Sequence, residues 1–206
     1  ALSCLGEDHA LTRRNAAFLI GSLVCFGGPA LHKDNGSLFH ILQSLEPLFG
    51  EAAEADQIAA EHRRNDPDAE LPYEVDEVFA VVDNACGAVA RILAVGVPQG
   101  SVPPEHVFPS LLAMLPLRFD ITENFAVFRC ILSLLEANQP CVLKSIPELV
   151  AVCTQSLARM EDTPAPQGLA KELISMILSR LLNSEHKDTV LQAMNQAGPE
   201  VSALLH

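Results

Sequence analysis

Residues 14–23 (RNAAFLIGSL), 83–92 (DNACGAVARI) and 123–132 (ENFAVFRCIL) are one helical phrase written three times. Aligned on Asn15, Asn84 and Asn124, they place a small residue six positions later (Gly21, Ala90, Cys130) and a branched aliphatic eight positions later (Leu23, Ile92, Leu132). Offsets of this kind follow the period of an α-helix, so each phrase predicts one helix showing the same packing face to a neighbour. A helix repeated in this way predicts a stacked helical array, in which each unit buries its core against the next and leaves an extended surface for a macromolecular partner.

The text between the phrases fits this reading. Val75, Phe79, Val82, Cys86, Val89 and Leu93 form an unbroken apolar stripe around Asn84, with Asp76, Glu77, Asp83, Gly87 and Arg91 on the other side. Further helices are predicted at residues 37–49, 107–115, 142–160, where Pro147 marks a kink or a start, and 167–182. Residues 186–206 read as a capping segment on the last helix pair, which has no asparagine in register. Residues 50–74 are alanine-rich and acidic, and Asn65, Asp66, Pro67 and Asp68 break them, so they read as an acidic insertion loop that is mobile and dispensable for folding. The asparagines are 40 residues apart, then 69. Removing the insertion of about 25 residues from the longer gap leaves roughly 44, and both spacings match HEAT and armadillo repeats. The predicted fold is all-α, an α-α superhelix: a right-handed solenoid of three to four such repeats over residues 1–206.

Composition bounds the function. The net charge is −13, and residues 51–83 hold eleven acids against only Arg63 and Arg64. Direct binding of nucleic acid is disfavoured, because that affinity rests on Lys and Arg neutralising phosphates, and a basic partner is favoured instead. The apolar stretches 15–32 and 107–117 are interrupted by Ser, Gly, Pro or His and fall short of the roughly 20 residues of a membrane span. The first residues, ALSCLGEDHA, contain no signal-peptide pattern and no initiator methionine and open inside a repeat, which points to a fragment of a longer protein. Six scattered cysteines without a CxxC pair read as reduced core residues and point to a reducing compartment.

Signatures of chemistry are sparse. There is no phosphate-binding glycine loop, GxSxG or HExxH, and the closest histidine–acid neighbours (Asp8/His9, Glu105/His106, Glu185/His186) are adjacent in sequence and project apart on a helix. No metal, cofactor or enzymatic activity is expected. Asn15, Asn84 and Asn124 have two readings: packing and local capping, or two-sided amides gripping the backbone of an extended peptide. Asp120 and Glu123 likewise read as a D-x-x-E capping box or as ligand-facing acids, and Asp76 with Glu77 suits a helix N-terminus.

The phrases DNACGAVARIL (83–93) and RNAAFLIGSLVCFGG (14–28), with PEHVFPSLLAMLPLRFDITENF (104–125), resemble the carboxy-terminal HEAT repeats of importin-β-type karyopherins over about residues 13–135. The resemblance implies a soluble receptor that shuttles between cytoplasm and nucleus and acts as a monomer. Its inner helices would line a concave path for basic, lysine-rich cargo such as the tails of core histones three and four, with a histone chaperone carried alongside. By position, Asp76, Glu77, Asp83, Asn84, Asp120, Glu123 and Asn124 would be the cargo-binding residues. Ran would bind through repeats absent from these 206 residues. The alternative from the residues themselves is a HEAT-repeat scaffold that assembles a complex through apolar ridges.

Overall fold

The computed structural model describes residues 1–27, 35–66, 70–161 and 167–197, and these form nine α-helices and no strand. The helices are α1 (Ala10–Phe26), α2 (Asn35–Asn65), α3 (Tyr73–Gly96), α4 (Pro104–Ala113), α5 (Asn124–Glu136), α6 (Pro140–Lys144), α7 (Ile146–Glu161), α8 (Gly168–Leu182) and α9 (Lys187–Ala197). Short 3-10 turns occupy Leu2–Gly6 and Ile121–Glu123. The chain forms two compact units: Ala1–Pro103 together with Leu117–Glu123, and Pro104–Pro116 together with Asn124–His206. The three phrases predicted from the sequence are α1, α3 and the opening of α5.

In the first unit α1 and α2 both pack on α3. That double packing explains why α3 is apolar nearly all round, with Val75, Phe79, Val81, Val82, Ala85, Cys86, Ala88, Val89, Ile92 and Leu93 buried. By length and composition α3 also passes as a membrane span, but most of it lies inside the unit, as a core helix does. α1 meets α3 through Ala16, Ala17, Ile20, Gly21 and Val24. The small residue of the phrase has a physical reason here: a Cβ on Gly21 would lie 2.9 Å from the Ala88 Cα, so only glycine lets the two backbones come this close.

The acidic insertion loop expected at 50–74 is corrected by the structure. Residues 50–65 continue α2, so the helix expected at 37–49 runs on to Asn65. Ala52, Ala55 and Ala59 supply the apolar face that the sequence reading overlooked, and Ala55 and Ala59 pack with Val75 and Phe79. Alanine costs no side-chain entropy on burial and is the best helix former, so a stripe of three is enough to seat the helix while the acids between them face water. Residues 67–69 lie outside the described residues.

The second unit repeats the layering. α5 packs on α8, α4 meets α6 and α7, and α9 closes on α7 and α8 with Val190, Ala193 and Met194 buried. α9 is the part of the capping segment 186–206 that the structure describes; 198–206 lie outside the described residues. α5 stops where Asn138 takes a left-handed backbone (φ 50°) and the Gln139 N–H reaches back to the Leu134 carbonyl at 3.0 Å, a Schellman-type ending. Pro147 opens α7 rather than kinking it, since the helix begins at Ile146.

Cys86, Cys130, Cys141 and Cys153 are buried, Cys4 is half-buried, Cys25 is exposed, and all are free thiols. Burial pushes the Cys130 thiol up to about 12 and the Cys86 thiol well above its ordinary range. Two outcomes follow. A thiol reagent at pH 8 should label Cys25 at once and Cys86 and Cys130 only after denaturation. Ala55→Asp, which places a carboxylate against Val75 and Phe79, should lower stability by about 2–4 kcal/mol in urea unfolding, whereas an outward change such as Glu54→Gln should leave it within about 0.5 kcal/mol.

Candidate functional site

The polar residues singled out in the sequence converge on one feature of the first unit, the seven-residue connector 117–123, which lies along α3. Leu117 anchors it by burial, and Phe119 stands half out of the surface. Three consecutive backbone donors of the connector are met by one carboxylate. Asp83 Oδ2 on α3 accepts the N–H groups of Arg118, Phe119 and Asp120 at 2.9, 2.6 and 2.7 Å. Asp83 is only 1% exposed, and its other oxygen, Oδ1, is buried without a hydrogen-bond partner. Burial raises its pKa to about 6 from the ordinary 3.8, against the lowering effect of the three N–H groups and of the Arg118 charge.

Around that contact, acids of the connector pair with arginines of the helices. The Asp120 carboxylate accepts Arg14 of α1 at 2.6 Å, the Asn84 amide at 2.9 Å and the Thr122 hydroxyl at 2.5 Å. Burial acts to raise its pKa, but these three donors outweigh burial and hold it below the ordinary value. Glu123 is bridged to Arg91 of α3 through both guanidinium arms and is 3% exposed. Its carboxylate sits directly over Gly87, where a Cβ would come within 1.7 Å of Oε2. Arg118 turns outward to Asp56 of α2 at 2.9 Å and lies over the Phe79 ring. Arg14 and Arg91 similarly lie over Phe119 and Phe18.

This geometry changes the reading of the predicted cargo residues. Asp83, Asn84, Glu123 and Asn124 are buried, so their side chains turn into the protein rather than toward solvent. Asn84 donates to the Ala80 carbonyl one turn back and to Asp120, which is the packing-and-capping reading rather than a peptide grip. Asn15 is exposed, and Asn124 is buried with its Oδ1 unpartnered, so the three amides do not share one environment. The D-x-x-E capping box is not formed: the Asp120 N–H goes to Asp83, and the Glu123 carboxylate goes to Arg91. Asp76 and Glu77, at the start of α3, are the predicted residues that remain half-exposed and outside the cluster, with Glu77 accepting the Tyr73 hydroxyl. With Asp56 on Arg118, the cluster sets four acids (Asp56, Asp83, Asp120 and Glu123) against three arginines (Arg14, Arg91 and Arg118), so most of its negative charge is offset within the chain. Sequence reasoning missed the arginines because their partners lie 32 to 106 residues away along the chain.

Among the described residues no group of three or more His, Cys, Asp or Glu is placed to hold a metal ion. Helices packed on one another with no strand among the described residues, and one phrase returning in α1, α3 and α5, make this an all-α helical-repeat fold of HEAT type. Comparison with known proteins carries the assignment further. The chain is 28% identical over 179 residues to a probable importin subunit beta-4 of Schizosaccharomyces pombe, covering 86% of this chain and 14% of that protein. It is 31% identical over 114 residues to human importin-4, covering 55% of this chain and 10% of that protein. No family model matches. Homologues of this chain are thus importin-β-type karyopherins, and the chain spans about a seventh and a tenth of the length of these two relatives.

The cluster predicts a steep response to substitution. Gly87→Ala must displace Glu123 and should cost about 1–3 kcal/mol in denaturant unfolding, although alanine is the better helix former. Arg91→Ala leaves the Glu123 carboxylate buried and unpaired and should cost about 3–5 kcal/mol. Arg91→Ala combined with Glu123→Gln should recover part of that loss in the same measurement.

Proposed function

We propose that this chain is a cargo-binding part of a nuclear import receptor and that it holds basic, lysine-rich cargo, with core histone tails as the reference case. The observation that carries this reading is the similarity to two importins. The charge distribution supports it. Glu54, Glu61, Glu70 and Glu74 are exposed along the second half of α2 and the approach to α3, with Asp76 and Glu77 half-exposed beside them. Lysines attracted there would meet acids that the connector does not occupy. Each exposed pair contributes at most about 1 kcal/mol, so useful affinity requires several at once together with side-chain packing. In the complete receptor, Ran and a histone chaperone travelling with the histones would be further partners, and the protein would move between cytoplasm and nucleus.

A second reading, a scaffold that joins complexes through apolar contacts, is favoured by α1. Leu11, Leu19, Leu23 and Phe26 are exposed on α1, Phe26 at 88%, and Phe18, under Arg91 of α3, is half-exposed at their edge. Salt separates the two readings. A lysine-rich histone-tail peptide should bind at about 0.05 M salt and be largely lost at 0.5 M, as the screening length falls below the spacing of the acids. The triple reversal of Glu74, Asp76 and Glu77 to lysine should weaken the peptide at least tenfold with helix content unchanged, as read by fluorescence anisotropy and circular dichroism. Retention of full affinity by the triple variant, or binding indifferent to salt, would transfer the function to the apolar side of α1.

A further inference from the structure

The contact between Asp83 and the connector has an asymmetry that packing alone does not require. One carboxylate oxygen, Oδ2, receives three consecutive backbone N–H groups, while the other, Oδ1, is buried and has no hydrogen-bond partner. A proton on Oδ1 would remove the buried charge and still leave Oδ2 as a carbonyl-type acceptor for all three donors. We propose that Asp83 is an acid-tightened clasp, which holds the connector 117–123 against α3 more firmly at acidic than at alkaline pH. Ionised, the group keeps its three bonds on Oδ2 but carries a buried charge whose other oxygen has no donor, and lifting the connector lets water reach it. Neutral, it gains little from being opened.

The direction of the raised pKa agrees with this sign. Burial holds the Asp83 pKa at about 6 when the clasp is closed, against an ordinary 3.8 when the group is in water. Because the closed state binds the proton more tightly, its advantage is complete below the ordinary value and is lost as pH rises through about 6. Between pH 5 and 8 this amounts to about a tenfold change in the opening equilibrium. The groups around Asp83 do not reverse it. Arg118 on the connector lies beside the carboxylate, and its pull toward the charged form is the smallest of the effects acting on it. Asp120, held below the ordinary carboxylate range by Thr122, Asn84 and Arg14, stays ionised across the window. Cys86 on α3, raised by burial first and then by the Asp83 charge, stays a neutral thiol. Glu123 is tied to Arg91 of α3, and Asp56 of α2 reaches the site only through Arg118.

The test is native-state amide hydrogen exchange of the whole chain at pH 5 and pH 8, corrected for intrinsic rates and read at the amides of residues 118, 119 and 120. Protection of these three should fall about tenfold from pH 5 to 8 in the parent and stay level in Asp83→Asn, which keeps the acceptor oxygen and removes the titration. Groups titrating elsewhere contribute equally to both chains, so an equal slope in the two proteins, or protection that rises with pH, overturns the proposal. A carbon-detected NMR titration of the Asp83 carboxyl in the parent reads the same device without a substitution. Connector amide shifts should move with the carboxyl midpoint near 6, and amides that ignore that midpoint overturn the proposal equally.

Discussion

Three backbone N–H groups meeting a single carboxylate oxygen, Asp83 Oδ2, are the constraint on which the first unit depends. A connector that crosses a helix face has no ladder of its own, and its buried donors must find acceptors or carry a penalty for each one left unmet. Here one side chain meets three of them, and everything nearby accommodates it. Residue 87 is glycine so that Glu123 can descend onto α3, Arg91 balances that acid, and Asn84 and Arg14 share Asp120. Removing Arg91 strands a carboxylate in low-dielectric surroundings and a side chain on residue 87 displaces it, which gives this largely self-paired polar cluster its structural weight.

Pairing within the chain also bears on recognition. Acids neutralised by arginines of the same chain are poor attractors for a cationic ligand, however suggestive they look in sequence. Two of the acids that remain displayed in the first unit, Glu54 and Glu61, are borne by α2, whose opposite side is the alanine stripe. The same residues that seat α2 on α3 therefore decide which acids reach solvent. Fold and surface charge are two consequences of one periodicity in this stretch.

That periodicity was only partly legible in advance. The helices α1, α3 and α5 follow directly from the repeated phrase, because large apolar residues at three- and four-residue spacing leave little choice of structure. α2 beyond residue 49 escaped because its core contacts are Ala52, Ala55 and Ala59, residues too small to register as a hydrophobic face beside so many acids. At the polar site, the sequence located the participants on α3 and the connector but assigned them to solvent. Asp83 lies on the polar side of its helix, and nothing local announces that residues 117–123 will return to cover it. The arginine partners were invisible for the same reason: pairing over 106 residues, as between Arg14 and Asp120, is a property of the folded chain alone.

The contact of Gly21 with Ala88 works as the tooth of a gear. Two helices separated by full side chains can slip past one another by small rotamer adjustments, but two that touch backbone to backbone have a single meshing position. A shift of one residue along α1 would present Ile20 or Ser22 to Ala88 and force the helices apart. The α1–α3 pair is consequently stiff against sliding, and elastic deformation of the first unit must be taken up in its turns and in the polar seat of the connector, where bonds can lengthen and re-form without unmeshing the core.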